Sequence, residues 1–398
     1  MPPSTVNQSE SERPEIPRAR GARGVVLSIA GVLLALALLE VPALLKLVDY
    51  RETGWLSINR FDPELLFIRR PYATTNGTSK GGSFAAIYRV PASDLSTYHW
   101  AVRYDHNGFR NATDLQSADI AVIGGSYVEA TTIDRTQLMT SILGQQQNAV
   151  VANFGQNAYA PQQELIVLRR FALPLKPKTV LWLFTDFNDI RQVPVFDSQM
   201  RSTSGLRTLV KSSFTANALK QLASVGYGSV TSLDRILYPE NPRPALNRSG
   251  LLPNTRSGPV RMYFLHPSLP LDTGQISALD ESVRTIEEAD RLCAARGARL
   301  VVVFIPDQFR VFHSFIQTTP GSELEHWRVN DAPARLEQGL HEVSPDVGFL
   351  DLTPEMVSAV KNGDVPYFTD DNHWNPEGQR LAAEAIDSYL SGAKQTQP

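Results

Sequence analysis

From residue 119 onward, short apolar runs alternate with segments of helical character. The runs are 119–123 (DIAVI), 149–154 (AVVANF), 179–184 (TVLWLF), 299–305 (RLVVVFI) and 347–352 (VGFLDL). Apolar runs of this length without polar alternation suit strands buried on both faces, the habit of parallel sheets. Between and after them, residues 135–147, 161–172, 276–295, 323–340 and 376–390 predict helices. Strand and helix in alternation predict an α/β domain, a central parallel sheet covered by helices on both sides. No internal repeat interrupts the pattern.

Two regions depart from this rhythm. Residues 48–118 mix Pro, Gly, Thr and aromatics and predict a lead-in of short strands or ordered loops. Residues 195–271 are rich in Ser, Arg, Pro and Gly and predict an insertion. It is expected to act as a lid or substrate-binding subregion, with an irregular excursion as the plainer reading.

The N-terminus has its own pattern. Residues 1–16 are polar and Pro/Ser/Glu-rich, the composition of a disordered tail. Arg18, Arg20 and Arg23 precede residues 24–45, which are apolar apart from Glu40. A helix over that stretch is about long enough to cross a bilayer core of ~30 Å. A buried core helix would show a polar face, and residues 25–39 show almost none. A cleaved signal peptide is the other reading, but no good A-x-A site follows. The expectation is a retained anchor whose arginines stay in the cytoplasm, which places the rest of the chain outside it. The organisation predicted is a disordered basic cytoplasmic tail (1–23), a membrane anchor (24–47), a lead-in (48–118) and an α/β domain (119–392).

Composition narrows the function. A net charge of −3 over 398 residues gives no basic footprint for nucleic acid. The single Cys293 excludes an internal disulfide framework and a cysteine-based metal cluster. No cofactor is implied.

In such a sheet, chemistry sits outside the carboxyl ends of the strands. The first run ends in Gly124-Gly125-Ser126-Tyr127, a sharp turn that leaves a hydroxyl exposed where a helix begins. The second ends in Asn153-Phe154-Gly155, and the third is followed by Asp186-Phe187-Asn188-Asp189. Far downstream, Asp370-Asp371-Asn372-His373-Trp374-Asn375-Pro376 precedes the last helix, with Asn375 as its cap and Pro376 at its first position. Each cluster alone is a common turn or cap. The four together, in this order, are far less common.

In that order they resemble the sequence blocks of the SGNH hydrolases, also called the GDSL esterase family. Gly124-Gly125-Ser126 resembles the first block, usually Gly-Asp-Ser, and Gly155 the second. Asn188 with Asp189 resembles the third, usually Gly-x-Asn-Asp. Asp370-Asp371-Asn372-His373 resembles the fifth, Asp-x-x-His. Residues 105–110 also resemble the lead-in of membrane-bound and secreted bacterial members. The resemblance spans about residues 105–194 and 298–390, and departs at Gly125 and Asp186, where Asp and Gly are usual.

The resemblance implies a flavodoxin-like three-layer α/β/α fold. It further implies Ser126 as nucleophile, His373 as its base, and Asp370, at three-residue spacing, as the group that orients the imidazole. Asp371 is the alternative for that last role. The oxyanion hole would be the Ser126 and Gly155 N–H groups and the Asn188 amide. The expected substrate is an O-acyl, above all acetyl, group on a cell-surface or exported carbohydrate. Partners in polysaccharide biosynthesis or export follow from the same resemblance. Two other readings stand beside it. One is a metal-dependent hydrolase using Asp186, Asp189, Asp370, Asp371 and His373. The other is a non-catalytic carbohydrate-binding or scaffold member of the fold.

Overall fold

The computed structural model describes residues 18–45, 47, 48, 50, 58–201, 212–219 and 243–395. The tail at 1–17 and part of the expected insertion, 202–211 and 220–242, lie outside the described residues.

The first element among the described residues is the helix Arg18–Leu44, so the three arginines expected in the tail already belong to it. Gly24–Leu44 is long and apolar enough to cross a membrane, and its most apolar stretch packs against nothing among the described residues; a signal sequence shares these features. Near the far end, the Glu40 carboxylate accepts hydrogen bonds from the backbone N–H groups of Phe214 and Thr215 at 3.0 and 2.7 Å. Tyr50 N–H bonds the carbonyl of Ser212 at 3.1 Å. The charged residue that interrupts the apolar run therefore has a local partner from the inserted region.

The lead-in contains the hairpin β1 (Asn59–Asp62) and β2 (Leu66–Arg69), then β3 (Thr74–Lys80) paired antiparallel with β4 (Thr97–Arg103). The apolar runs form β5 (Ile120–Gly124), β6 (Val151–Gly155), β7 (Thr179–Thr185), β10 (Arg299–Ile305) and β12 (Gly348–Asp351). Between them, β8 (Ser249–Leu252) and β9 (Val260–Tyr263) join β11 (Gln317–Thr318) in a small antiparallel sheet.

The five main strands are all parallel, in the order β12-β10-β7-β5-β6. Numbered by their succession within this sheet they run 2-1-3-4-5, the flavodoxin-like order. Side chains alternate across it. Val180, Trp182 and Phe184 of β7, with Leu300, Val302 and Phe304 of β10, enter one core beneath the helices Pro161–Val167, Asn188–Arg201, Thr273–Ala294 and Ala332–Val343. Leu181, Leu183, Val301, Val303 and Ile305 enter a second core beneath Met139–Gln147, Thr353–Lys361 and Pro376–Gln395. Burial on both faces explains why these runs carry no polar alternation. The result is the three-layer α/β/α fold.

Helix Asn188–Arg201 runs past residue 195, where the sequence predicted the insertion to begin, and carries Pro194 inside it. The predicted helix 323–340 is broken into a short 3-10 turn, Glu323–His326, and the helix Ala332–Val343.

Candidate active site

The chain order reverses between β5 and β7, so the crevice at their carboxyl ends is the topological switch point where α/β sheets bind ligands. Ser126 stands there. Gly124 turns the chain out of β5 at a φ of +153°, and a side chain on it would run into Val128 and the Leu183 carbonyl. Ser126 then opens the short helix Ser126–Glu129, its backbone N–H without an acceptor in the backbone hydrogen bonds among the described residues.

Helix Ser126–Glu129 is held from the lead-in. Glu129, fully buried, accepts from Arg69 Nε at 2.8 Å, from Arg69 Nη2 at 3.0 Å and from the Tyr104 hydroxyl at 2.7 Å. Its second oxygen also takes the Asn157 N–H at 2.7 Å. The Arg110 guanidinium, from the lead-in motif, bonds the carbonyls of Glu129, Ala130 and Ile133.

The structure brings Ser126 and His373 together: His373 Nε2 lies 2.7 Å from Ser126 Oγ. Asn375 accepts from the N–H groups of Glu377 and Gly378 at 2.9 and 3.1 Å, so it caps the last helix and fixes the loop just before it.

The third group differs from expectation. His373 Nδ1 meets Asp371 Oδ1 at 2.5 Å, and that oxygen also accepts the His373 N–H at 2.9 Å. A carboxylate two residues ahead closes an Asx-type turn onto the backbone, which brings it to the ring's near nitrogen. Asp370, expected in that place, turns the other way. It is wholly buried and bonds the Tyr98 hydroxyl at 2.7 Å and the N–H groups of Gly82 and Ser96 at 3.2 Å each. Those partners come from the lead-in, which gave no signal in the sequence. Asp371 Oδ2 is itself held by the Ser83 N–H at 2.7 Å.

Charge follows this geometry. Burial works against the Asp371 carboxylate, but His373 and the N–H groups of Ser83 and His373 outweigh it and hold its pKa at about 2. Burial likewise works against an imidazolium at His373, and the Asp371 charge and hydrogen bond overcome it, so the His373 pKa is raised above its ordinary value.

Gly155 also differs from its expected part. Its N–H donates to Asn153 Oδ1 at 3.0 Å. A Cβ there would lie 2.2 Å from Glu129 N, so this glycine is required for helix Ser126–Glu129 to sit against β6. Asn188 opens its helix at the end of β7 and lines a cleft beside the dyad. That cleft is shared with Tyr127, Phe187, His266, Asp307 and Asn372.

The acidic residues of the metal-dependent reading separate to different partners. Asp186 pairs with Arg310 Nε at 2.6 Å, both buried, and Asp189 accepts the Thr185 N–H at 2.6 Å. The first pair also accounts for the departure at Asp186: the charge standing in place of a glycine has its own guanidinium. At Gly125, a side chain would meet nothing within 4 Å, so the other departure leaves the packing untouched.

Helix Gln308–Phe312, which the sequence did not reveal, ties the two loops together. Arg310 holds Asp186 ahead of Asn188, while Gln308 Nε2 donates to the carbonyls of Phe368 and Asp371 at 2.9 and 3.4 Å. Only the Asp307 cap at its start, which accepts the Arg310 N–H at 2.8 Å, carried a sequence signal.

Residues 264–397 match the family model described as SGNH hydrolase-like domain, acetyltransferase AlgX. No curated protein sequence matches the chain. Solved structures similar to it include a GDSL-like lipase from Bacteroides thetaiotaomicron, 12% identical over 69% of this chain and 88% of the other, with a TM-score of 0.33. A lipase/acylhydrolase from Enterococcus faecalis is 10% identical over 69% and 95%, TM-score 0.34. An acetyl xylan esterase is 10% identical over 68% and 98%, TM-score 0.36. The matched segment carries His373 and Asp371, and the parallel sheet sets Ser126 against them at its switch point.

Proposed function

We propose that this protein is a serine-dependent acyl-ester enzyme, an esterase or O-acyltransferase, working through an acyl-Ser126 intermediate. The observation that carries the reading is the line Ser126 Oγ–His373 Nε2–Asp371, with contacts of 2.7 and 2.5 Å. A serine hydroxyl is a poor nucleophile until a base takes its proton, and a base must be oriented by a third group. Ser126 Oγ attacks the ester carbonyl while its proton passes to His373 Nε2. Asp371 stabilises the imidazolium that results. The oxyanion is met by the Ser126 N–H and the Asn188 amide. His373 then protonates the departing alcohol, leaving the acyl group on Ser126. Water or a second hydroxyl, deprotonated by the same imidazole, takes that acyl group and frees the serine.

The substrate we propose is an O-acetylated carbohydrate, by analogy with the acetyltransferase family model and the acetyl xylan esterase named above. We further propose that Gly24–Leu44 is a single-pass anchor with the catalytic domain outside the cytoplasm, where surface or exported polysaccharide and its assembly partners are met.

The test is mass spectrometry of the protein exposed to small acetyl esters, with and without oligosaccharide acceptors. A 42-Da adduct (about the mass of an acetyl group replacing a proton) is expected on Ser126 and none on Ser126→Ala. Faster adduct loss with an oligosaccharide present, and acetylated sugar as product, would identify a transferase. Unaltered turnover by Ser126→Ala would end the serine reading.

A further inference from the structure

His266 is a titratable group of the cleft that the proposed chemistry does not use. Its ring lies flat on Phe187, with centroids 4.0 Å apart and planes 19° from parallel. That stack fixes the plane of the imidazole beside Asn188, Tyr127 and Asn372 on the cleft wall. His266 is half-buried, and neither ring nitrogen has a hydrogen-bond partner among the described residues. Neither nitrogen is sealed from solvent, so both are open to a molecule that enters the cleft.

The electrostatics agree with the geometry. Burial, followed by the charges of Arg191 and His373, pushes the His266 pKa down to about 4. The ring is therefore neutral wherever His373 can work as a base. A neutral imidazole presents one donor and one acceptor. A sugar hydroxyl presents the complementary pair, whereas an aryl ester such as 4-nitrophenyl acetate has no free hydroxyl.

We infer that His266 is a specificity-determining residue that hydrogen-bonds a hydroxyl of a polyhydroxylated substrate held beside Ser126. This rests on the acyl-serine reading and names the kind of molecule the site takes. The carbohydrate then contributes binding that a simple aryl ester lacks, through a ring held in place by Phe187.

The experiment compares two substrates on three proteins: 4-nitrophenyl acetate and O-acetylated xylo-oligosaccharides, with wild type, His266→Phe and His266→Gln. His266→Phe keeps the stack and removes both nitrogens. The ratio of kcat/KM for the oligosaccharide to that for the aryl ester should fall about five- to tenfold, the effect of one lost hydrogen bond. His266→Gln restores a donor and an acceptor and should recover part of that loss. Equal losses on both substrates, or no change on either, would overturn the assignment. So would a wild-type protein that cleaves the aryl ester and ignores the oligosaccharide. Failure of the underlying reading looks different: wild-type Ser126 would then take no label from a fluorophosphonate.

Discussion

At the scale of single residues, the contrast between Asp370 and Asp371 is the sharpest test of the site. Asp371→Asn removes the charge that lifts the His373 pKa and leaves the burial that depresses it. In the wild type, kcat/KM should rise with pH through an apparent pKa above the ordinary histidine value of 6.5, because His373 must lose its proton to act. In Asp371→Asn that limb should move to lower pH while the plateau falls by roughly 10²- to 10⁴-fold. Asp370→Asn should weaken the bonds to Tyr98, Gly82 and Ser96, costing about 1–3 kcal/mol in stability, and leave the limb in place. Thermal melts and pH–rate profiles on the two variants separate these outcomes. Asn188→Ala is expected to lower kcat by about 10²–10³, the usual result of losing one oxyanion donor, with little change in melting temperature.

At the scale of elements, the five strands were legible because burial on both faces writes an uninterrupted apolar word, and three of the site's loops could be placed at their ends. What stayed hidden was set by tertiary partners. Helix Asn188–Arg201 contains Pro194 and few apolar residues, so its pattern was too weak to distinguish from an insertion. The choice between Asp370 and Asp371 depends on Ser83, Ser96 and Tyr98, some 270–290 residues away in the chain. His266 belongs to a stretch that read as irregular, and only the fold sets it against Phe187. Beneath Asn188, one more pair was invisible in the sequence: Glu164 and Asp189, both fully buried carboxyls. Burial lifts Asp189 to about 8 and raises Glu164 well above its usual value, with the Asp189 charge adding to the latter. A carboxyl raised on folding favours the folded state fully only below its unfolded value, and that contribution is lost as pH climbs toward the folded one. Stability should therefore decline between about pH 4 and about pH 8 on account of this pair. Glu164→Gln should flatten the decline, read as melting temperature against pH; an unchanged slope would show that the pair does not titrate with folding.

At the scale of the whole molecule, the N-terminal helix and the α/β domain make separate statements that can be tested together. A reporter active only outside the cytoplasm, fused after the last residue, should be active if Arg18, Arg20 and Arg23 remain inside. A silent fusion beside an active cytoplasmic reporter would reverse the orientation. The clasp between the lead-in and the histidine loop has a consequence for the order of folding. Gly82 and Ser83 bond Asp370 and Asp371 across 288 positions of sequence, whereas the sheet that carries Ser126 is built from strand pairs much nearer in the chain. Contacts that close very long loops are entropically late, so the imidazole is secured only after the sheet it serves has formed. On refolding from denaturant, helical signal and core fluorescence should return first and esterase activity last. Ser126 would then spend the early part of the protein's life in a fold already compact but chemically silent.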